Sequence, residues 1–237
     1  MKNILNIMMK DLKIYFVSPI AYTILTMFLL ISGYFFVLIL FHSQECSMNY
    51  VFGNMTFTLL FIIPILTMRL FSEEKKTGTI EILMTSSIKE FELVMGKLLA
   101  CFILFMVMIL LTFLYPIWLL IIGEPDKGPL ITGYIGILFL GLSFISVGIF
   151  CSSLTKNQIV SAILSFGILL FIWILGWVAD ESKSQITKNV FQYICLLEHF
   201  DDFQKGVIDT KDVVYYLTFS GFFVYLTTKT VELKKWR

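Results

Sequence analysis

Charged side chains are scarce in this chain of 237 residues. Only 15% of its residues are Asp, Glu, Lys or Arg, whereas 58% are hydrophobic and 24 are Phe. Soluble domains carry roughly 25% charged residues, and no water-soluble core needs several apolar runs of about 20 residues. Such runs recur here, so the composition predicts a polytopic membrane protein. The net charge of +1 indicates nothing about nucleic acid, because the charges matter through their positions relative to the spans.

Several catalytic patterns are also missing. The sequence has no HExxH zinc-protease motif. An intramembrane serine protease would need a histidine within the apolar runs, but both histidines, His42 and His199, lie outside them. The first five runs contain no Asp or Glu, so a proton relay through them lacks its usual residues. We therefore assign no catalytic residue and no metal ligand, whereas a channel or a membrane scaffold stays open as a function.

The four cysteines form no CxxC pair and show no metal-ligand spacing. Cys101 and Cys151 lie in or beside apolar runs, where a thiol acts as a small hydrophobic group. Cys46 and Cys195 fall on the same side of the topology described below. We expect these two to be unpaired thiols, with a disulfide between them as the alternative.

Six apolar segments are long enough to cross a bilayer, because about 20 helical residues span about 30 Å. They cover approximately residues 20–41, 51–70, 98–122, 131–151, 159–179 and 212–231. The sixth segment is the least apolar, and Lys229 near its end is expected to extend to the interface. Pro64 and Pro116 lie inside the second and third segments and predict a kink in each, either a hinge or a static bend.

The distribution of basic residues predicts the orientation of these spans. With the N-terminus in the cytoplasm, few of the 18 Lys and Arg residues fall outside, namely Lys127, Lys183, Lys188, Lys205 and Lys211. The first outside loop, residues 42–54, has none. The positive-inside rule therefore favours both termini in the cytoplasm. The chain is predicted to be one membrane domain over residues 1–237.

The stretch MKNILNIMMKDLKIYFVSP precedes the first span. Polar and apolar residues recur in it at helical spacing on two different faces: Asn3, Asn6, Lys10 and Lys13 on one, Ile4, Met8, Leu12 and Tyr15 on the other. This pattern predicts an amphipathic helix that lies in the inner membrane interface. Pro19 is expected to end it just before the first span.

A charged stretch, FSEEKKTGTIEILMTSS at residues 71–87, follows the second apolar segment. Ser72 is a candidate N-cap for a short helix, and Gly78 suggests a break. Ile80, Leu83 and Met84 then fall at i, i+3 and i+4 and predict one apolar face of a second short helix. So short a helix is marginal in water, so this face must be buried against the membrane surface or a protein. The mixture of acidic and basic residues argues against simple attraction to anionic lipid. The charge pattern therefore favours a soluble protein partner.

The same stretch carries a family resemblance. Residues 73–97, EEKKTGTIEILMTSSIKEFELVMGK, resemble the cytoplasmic loop of ABC-2-type transporter permeases, where an EE-(K/R)-x-G-T-(I/L)-E-x-L-x-(T/S) run joins the second span to the third. Residues 150–166, FCSSLTKNQIVSAILSF, and 197–217, LEHFDDFQKGVIDTKDVVYYL, with the closing KKWR, are similar to the gliding-motility permease branch. The permease of the copper-enzyme maturation system is a relative of the same general kind.

The resemblance implies an architecture and partners. It implies an all-α protein with six spans, an N-terminal interfacial helix, a cytoplasmic coupling helix and short outer helices between spans five and six. It also implies a second permease, identical or homologous, and two copies of a separate ATPase that holds ATP and magnesium. This chain has no GxxxxGK[ST] phosphate loop of its own. By resemblance, the residues that form or flank the coupling helix are Gly78, Thr79, Ile80, Glu81, Leu83 and Met84. Glu73 and Glu74 would lie at the junction with the second span and complete the set implied in coupling to the ATPase.

The outer segment EHFDDF, residues 198–203, is the other notable polar cluster. It places His199 beside Asp201 and Asp202, but the spacing is not a recognised metal-ligand pattern. We interpret it as a solvated or interfacial segment.

The sequence thus predicts the permease subunit of an ABC-2-type transporter in a bacterial cytoplasmic membrane. Its role is expected to be the coupling of ATP hydrolysis in another chain to export or to signalling across the membrane. An extracytoplasmic accessory protein is a further candidate partner. The substrate is not encoded in any pattern that we can read.

Overall fold

The computed structural model describes residues 2–43, 47–81, 88–181, 191 and 193–235. Within those ranges the regular elements are helices. They are α1 (Lys2–Val17), α2 (Pro19–Ser43), α3 (Asn49–Thr67), α4 (Arg69–Thr77), α5 (Glu90–Leu111), α6 (Leu114–Ile122), α7 (Lys127–Leu154), α8 (Gln158–Glu181), α9 (Leu196–Gln204) and α10 (Thr210–Lys235). The predicted all-α class is confirmed for these residues.

In the described ranges, five stretches are long and apolar enough to cross a membrane. They are Pro19–His42, Asn49–Thr77, Glu90–Ile122, Lys127–Leu154 and Gln158–Gly176. These correspond to the first five predicted segments, and the second and third run further than the sequence indicated. Helix α10, at the sixth segment, has 26 residues. Its Thr, Lys and Asp residues make it less apolar than the other five.

The second stretch continues almost directly into the charged segment. Helix α3 ends at Thr67 and α4 begins at Arg69, with only Met68 as a turn between them. Ser72 therefore lies inside α4, fully buried, and the predicted N-cap at this position is wrong. The physical reason is that the apolar helix does not end where the charges begin, so no new helix start is needed there. The predicted break at Gly78 is confirmed, because its φ of +73° is left-handed and favours glycine.

The third stretch is interrupted between α5 and α6. Proline has no N–H, so Pro116 cannot bond to the carbonyl of Thr112 as an α-helix requires. That carbonyl instead accepts hydrogen bonds from the backbone N–H of Tyr115, at 2.9 Å, and from the hydroxyl of Tyr134, at 3.0 Å. The predicted kink at Pro116 is confirmed. Helix α3, in contrast, runs through Pro64 without a break. Whether either proline acts as a hinge stays a prediction.

Helix α7 lies at the centre of the bundle. It packs against α3, α5, α8, α9 and α10. Its glycines permit close approach, since a β-carbon at Gly133, Gly141 or Gly148 would overlap Phe52, Phe105 or Thr67. The buried residues of α3, α5 and α7 form one continuous hydrophobic core.

Candidate functional site

Helix α1 is fixed to the beginning of α5 and to the end of α3. Gly96 of α5 lets the two helices touch, since a β-carbon there would lie 2.8 Å from Ile7. The Asn3 side chain donates a hydrogen bond to Glu92 at 2.9 Å, and the Tyr15 hydroxyl donates to the carbonyl of Leu66 at 2.9 Å. A helix is thus present at the predicted amphipathic stretch, with one face packed on the rest of the bundle, and its place in the membrane interface stays a prediction.

A buried lysine lies at the centre of this contact. Lys97 of α5 is only 1% exposed. Its ammonium lies 3.2 Å from the carboxylate of Asp11 on α1 and 2.9 Å from that of Glu74 on α4. It also lies 5.1 Å from the centre of the Phe71 ring, a cation–π contact. One charge therefore joins three helices.

A second lysine completes the group. Lys10 of α1 lies 3.1 Å from Glu74 and 3.6 Å from Asp11. Partial burial lowers the pKa of the Lys10 ammonium, but the charge of Glu74 and then that of Asp11 outweigh this effect and raise the pKa. We call Lys10, Asp11, Glu74 and Lys97 the ion cluster. Its two positive and two negative charges cancel, which is the condition under which charges are tolerated in a protein interior.

Arg69 and Glu73 form a neighbouring pair within α4. The guanidinium donates two hydrogen bonds to the Glu73 carboxylate, at 2.8 Å and 2.9 Å. A third, longer bond of 3.4 Å reaches the hydroxyl of Ser18, between α1 and α2. Of the two glutamates implied by the family resemblance, Glu74 thus belongs to the ion cluster, whereas Glu73 holds Arg69, which reaches the junction of α1 and α2.

Helix α4 is also bonded to the end of α7. The Ser152 hydroxyl accepts hydrogen bonds from the backbone N–H groups of Phe71 and Ser72, at 3.0 Å and 3.2 Å, and donates to the carbonyl of Met68 at 3.0 Å. The ammonium of Lys75 donates to the carbonyl of Ser153. A single buried serine therefore supplies partners for the backbone where α3 passes into α4.

A cavity of about 320 Å³ lies between α1 and α4. The ion cluster, Arg69 and Glu73 line it, together with Ile14, Tyr15 and Leu70. One carboxylate oxygen of Glu74, Oε2, is buried there without a hydrogen-bond partner among the described residues. The cavity therefore combines paired charges with one unsatisfied acceptor.

The remaining residues of the predicted coupling helix follow Gly78. Residues 79–81 are helical, and Thr79 and Glu81 are exposed. Ile80 is buried within the chain itself, at 8% exposure. Leu83 and Met84 lie outside the described residues, so the structure brings together only part of the predicted set.

The opposite end of the bundle holds a buried histidine. His199 of α9 is 8% exposed, and its Nδ1 lies 2.6 Å from the carboxylate of Asp212 on α10. Its Nε2 lies 3.2 Å from the carbonyl of Tyr193, and its ring stacks on Tyr215 at 4.0 Å between centres. The segment was interpreted as solvated or interfacial; for His199 the solvated alternative is wrong, because this pairing buries the side chain. Asp201 of the same segment is exposed.

The short outer helices were expected between the fifth and sixth segments. The described part of this region contains a short helix, α9, which packs against α7 near Gly136, and its place on the outer side stays a prediction. Cys195, just before it, is buried against Gly176 and forms no disulfide with a described residue. Its predicted alternative partner, Cys46, lies outside the described residues.

Comparison with known proteins decides the family. Residues 2–196 match the family described as "ABC-2 family transporter protein". The chain belongs to this family. It is also similar to the "Probable multidrug ABC transporter permease YbhS" of Escherichia coli strain K12, with 29% identity over 164 residues. The protein of the same name from Escherichia coli O157:H7 matches to the same extent. The aligned region is 68% of this chain but 43% of that relative, so the ABC-2 chain spans under half the length of the relatives it matches.

Sequence reasoning anticipated the site only in part. The charged segment was identified from its composition, but Asp11 and Lys97 were not recognised as its partners. In the sequence, Lys97 counts only among the basic residues on the cytoplasmic side, directly before the predicted third segment. A charge in the first turns of an apolar helix is a signal for a buried partner, although it does not say which residue that partner is.

Proposed function

We propose that this ABC-2 chain is the membrane-spanning permease subunit of a transporter and that a separate ATPase subunit drives it. ATP and magnesium would bind in that ATPase. The family assignment supports this role, and the attachment of α4 to both α1 and the spans supports the route by which movement would enter the membrane.

The observation that carries the proposal is the ion cluster. Lys97 contacts Asp11 and Glu74 at once, so α1, α4 and the beginning of α5 are held as one unit. A force on the segment after Gly78 would pass through α4 to this unit and so to the second and third spans. Closure of two ATPase copies would then bias the spans between two arrangements, because the partner binds one of them better.

The predicted coupling helix would supply the docking surface. Thr79 and Glu81 are exposed beyond the left-handed turn at Gly78, which is the placement that a partner would need. Leu83 and Met84 follow at the spacing of one apolar face. Ile80, buried within the chain, would anchor this segment and leave the partner contact to its neighbours.

The proposed topology has six spans with both termini in the cytoplasm. The length of α10 supports a sixth crossing, since 26 helical residues extend about 39 Å at 1.5 Å each. An even number of crossings puts α1 and the end of α10 on the same side. This single membrane domain would lie in a bacterial cytoplasmic membrane and pair with a second permease, identical or homologous.

Two roles are proposed for the transporter: export of a solute, or transmission of a conformational signal across the membrane. The name of the Escherichia coli relatives favours export. The similarity of residues 150–166 and 197–217 to the gliding-motility branch favours force transmission to an outer partner, which would include an extracytoplasmic accessory protein.

Leu83→Asp tests the coupling assignment. A charge on the docking face should abolish copurification of the ATPase and leave membrane insertion intact, because a buried unpaired charge is costly. Val207→Asp, on an exposed loop before α10, is the matched control and should retain the ATPase.

The measurement is affinity purification of the full chain followed by mass spectrometry of its partners and by an ATP-hydrolysis assay. Retention of the ATPase by Leu83→Asp would show that the coupling assignment is wrong. Absence of any ATPase from the unmodified chain would favour the alternative, a channel or scaffold without ATPase coupling.

A further inference from the structure

A groove runs along the outside of the bundle between α5, α7 and α10. Its volume is about 330 Å³. The side chains that line it are mostly apolar, among them Phe91, Met95 and Leu98 of α5, Leu142 of α7 and Val224 of α10. The ion cluster is not among the described residues that line it, so the groove is separate from that cluster.

The groove offers water few groups to bond to. Two of its lining hydroxyl groups already have partners, since Ser220 lies 3.2 Å from the hydroxyl of Ser143 and Thr228 donates to the carbonyl of Val224 at 2.9 Å. A water molecule needs two to four polar partners to occupy a cavity. An empty groove would instead forfeit dispersion contacts along its whole wall. The chemistry of the lining therefore calls for an apolar occupant.

The dimensions and position fit one lipid chain. From Thr228 to Gly221, the groove follows seven residues of α10, which is about 10 Å at 1.5 Å per residue. One leaflet contributes about 15 Å of a bilayer core of about 30 Å. One bordering helix begins close by, since Phe91 is in the first turn of α5. With α5 and α10 as spans, the groove would lie among the acyl chains of one leaflet.

A positive charge lies at the end of the groove. Lys229 follows Thr228 directly, is half exposed, and holds its ammonium 6.0 Å from the centre of the Tyr225 ring. It is paired with Glu232 at 2.8 Å. Tyr and Lys at such a depth are typical of the membrane interface, and an ammonium there is complementary to a lipid phosphate.

We propose that this groove binds one acyl chain of an anionic phospholipid, with the phosphate of the headgroup at Lys229. The proposal rests on α10 being the sixth span, as in the proposed function. It does not depend on the ATPase, so lipid binding and ATPase association can fail separately.

Gly221→Leu tests the groove. A β-carbon at Gly221 meets no atom within 4 Å, so the new side chain would fill the groove without displacing the backbone. Gly167→Leu in α8 is the matched control, because a β-carbon there also meets nothing within 4 Å and Gly167 does not line the groove.

The full chain is reconstituted into vesicles of equal parts phosphatidylglycerol and phosphatidylcholine, extracted in mild detergent, and examined by native mass spectrometry. The unmodified chain and Gly167→Leu should each retain one phosphatidylglycerol per chain. Gly221→Leu should lower that retention at least tenfold. Equal retention by Gly221→Leu and Gly167→Leu would overturn the proposal.

Lys229→Gln separates the headgroup from the chain. It alters an exposed side chain, so it keeps the test decisive even if Gly221→Leu does not insert into the membrane. The variant should still retain a lipid but lose the preference for phosphatidylglycerol over phosphatidylcholine, at least threefold. An unchanged preference contradicts the headgroup assignment. If the unmodified chain retains no lipid and Gly221→Leu converts a dimer into a monomer, the occupant is a second copy and the proposal is wrong.

Discussion

Individual residues in this ABC-2 chain act mainly through charges that its apolar interior has to neutralise. Lys97 and His199 are both buried, and each faces a carboxylate from another helix. The two positions lie at opposite ends of the bundle. In each case the energy at stake is the cost of leaving a charge without its partner, which exceeds the net gain from forming the pair.

At Lys97, the pairing makes a definite prediction. Lys97→Met removes the positive charge between Asp11 and Glu74 and should lower the free energy of unfolding by about 3–5 kcal/mol, the usual cost of breaking a buried pair. Lys205→Met is the control, since Lys205 is exposed and lies 3.5 Å from Asp202. It should cost about 0–1 kcal/mol. Thermal unfolding in detergent, followed by circular dichroism, measures both.

A rescue experiment sharpens this comparison. Adding Asp11→Leu to Lys97→Met removes the carboxylate left without its lysine and should recover part of the lost stability. If Lys97→Met melts at the same temperature as Lys205→Met, the ion cluster does not stabilise the fold.

Among the elements, α4 is the one whose position the other helices define most closely. Its nine residues are too few for a helix that is stable alone. Ser152 of α7 bonds to its backbone, and Glu74 pairs with lysines of α1 and α5. A short charged helix therefore persists because three neighbours bind it.

The serine contact can be tested at the scale of this element. Ser152→Ala would leave the buried N–H groups of Phe71 and Ser72 without their acceptor, at a cost of about 1–3 kcal/mol. Thr23→Ala is the control, because its hydroxyl is in exposed surroundings and bonds only to the carbonyl of Pro19 in its own helix, at 3.0 Å. Hydrogen exchange should show faster exchange in α4 for Ser152→Ala and no change there for Thr23→Ala. Unchanged exchange in α4 would mean that the α7 contact does not hold this helix.

The whole molecule is organised around α7, whose glycines allow α3 and α5 to approach closely. Residues far apart in the sequence meet there, as Thr67 and Gly148 do. Interiors of this kind tolerate little added volume, because they are packed at the density of organic crystals. The tightness of this central packing is therefore expected to govern the stability of the bundle.

A single methyl group tests the central packing. Gly148→Ala would overlap the Thr67 side chain and should destabilise the protein by about 1–3 kcal/mol, the cost of overpacking. Gly167→Ala, where a β-carbon meets nothing, should instead be neutral or stabilise by up to about 1 kcal/mol, since alanine favours the helix. Melting temperatures that move in opposite directions support the account. Equal shifts would show that helix propensity, and not packing, decides.

The amino-acid sequence by itself determined the features that depend on neighbours along the chain. The apolar runs set the five helical stretches that are long enough to span a membrane, because hydrophobic length is a local property. Gly78 marked the turn after α4, since the left-handed conformation needs a residue without a β-carbon. Pro116 marked the interruption of the third stretch, since proline removes a helical hydrogen bond.

Only the tertiary structure decided which charges meet and where α4 begins. Asp11 and Lys97 are 86 residues apart in sequence, and no periodicity links them. Ser72 satisfied the local rule for an N-cap, yet α4 starts earlier, at Arg69, and Ser152 of α7 supplies the backbone with an acceptor there. Pairings of this kind depend on how helices pack in three dimensions. The sequence therefore indicates that a buried charge needs a partner, whereas the tertiary structure determines which residue is that partner.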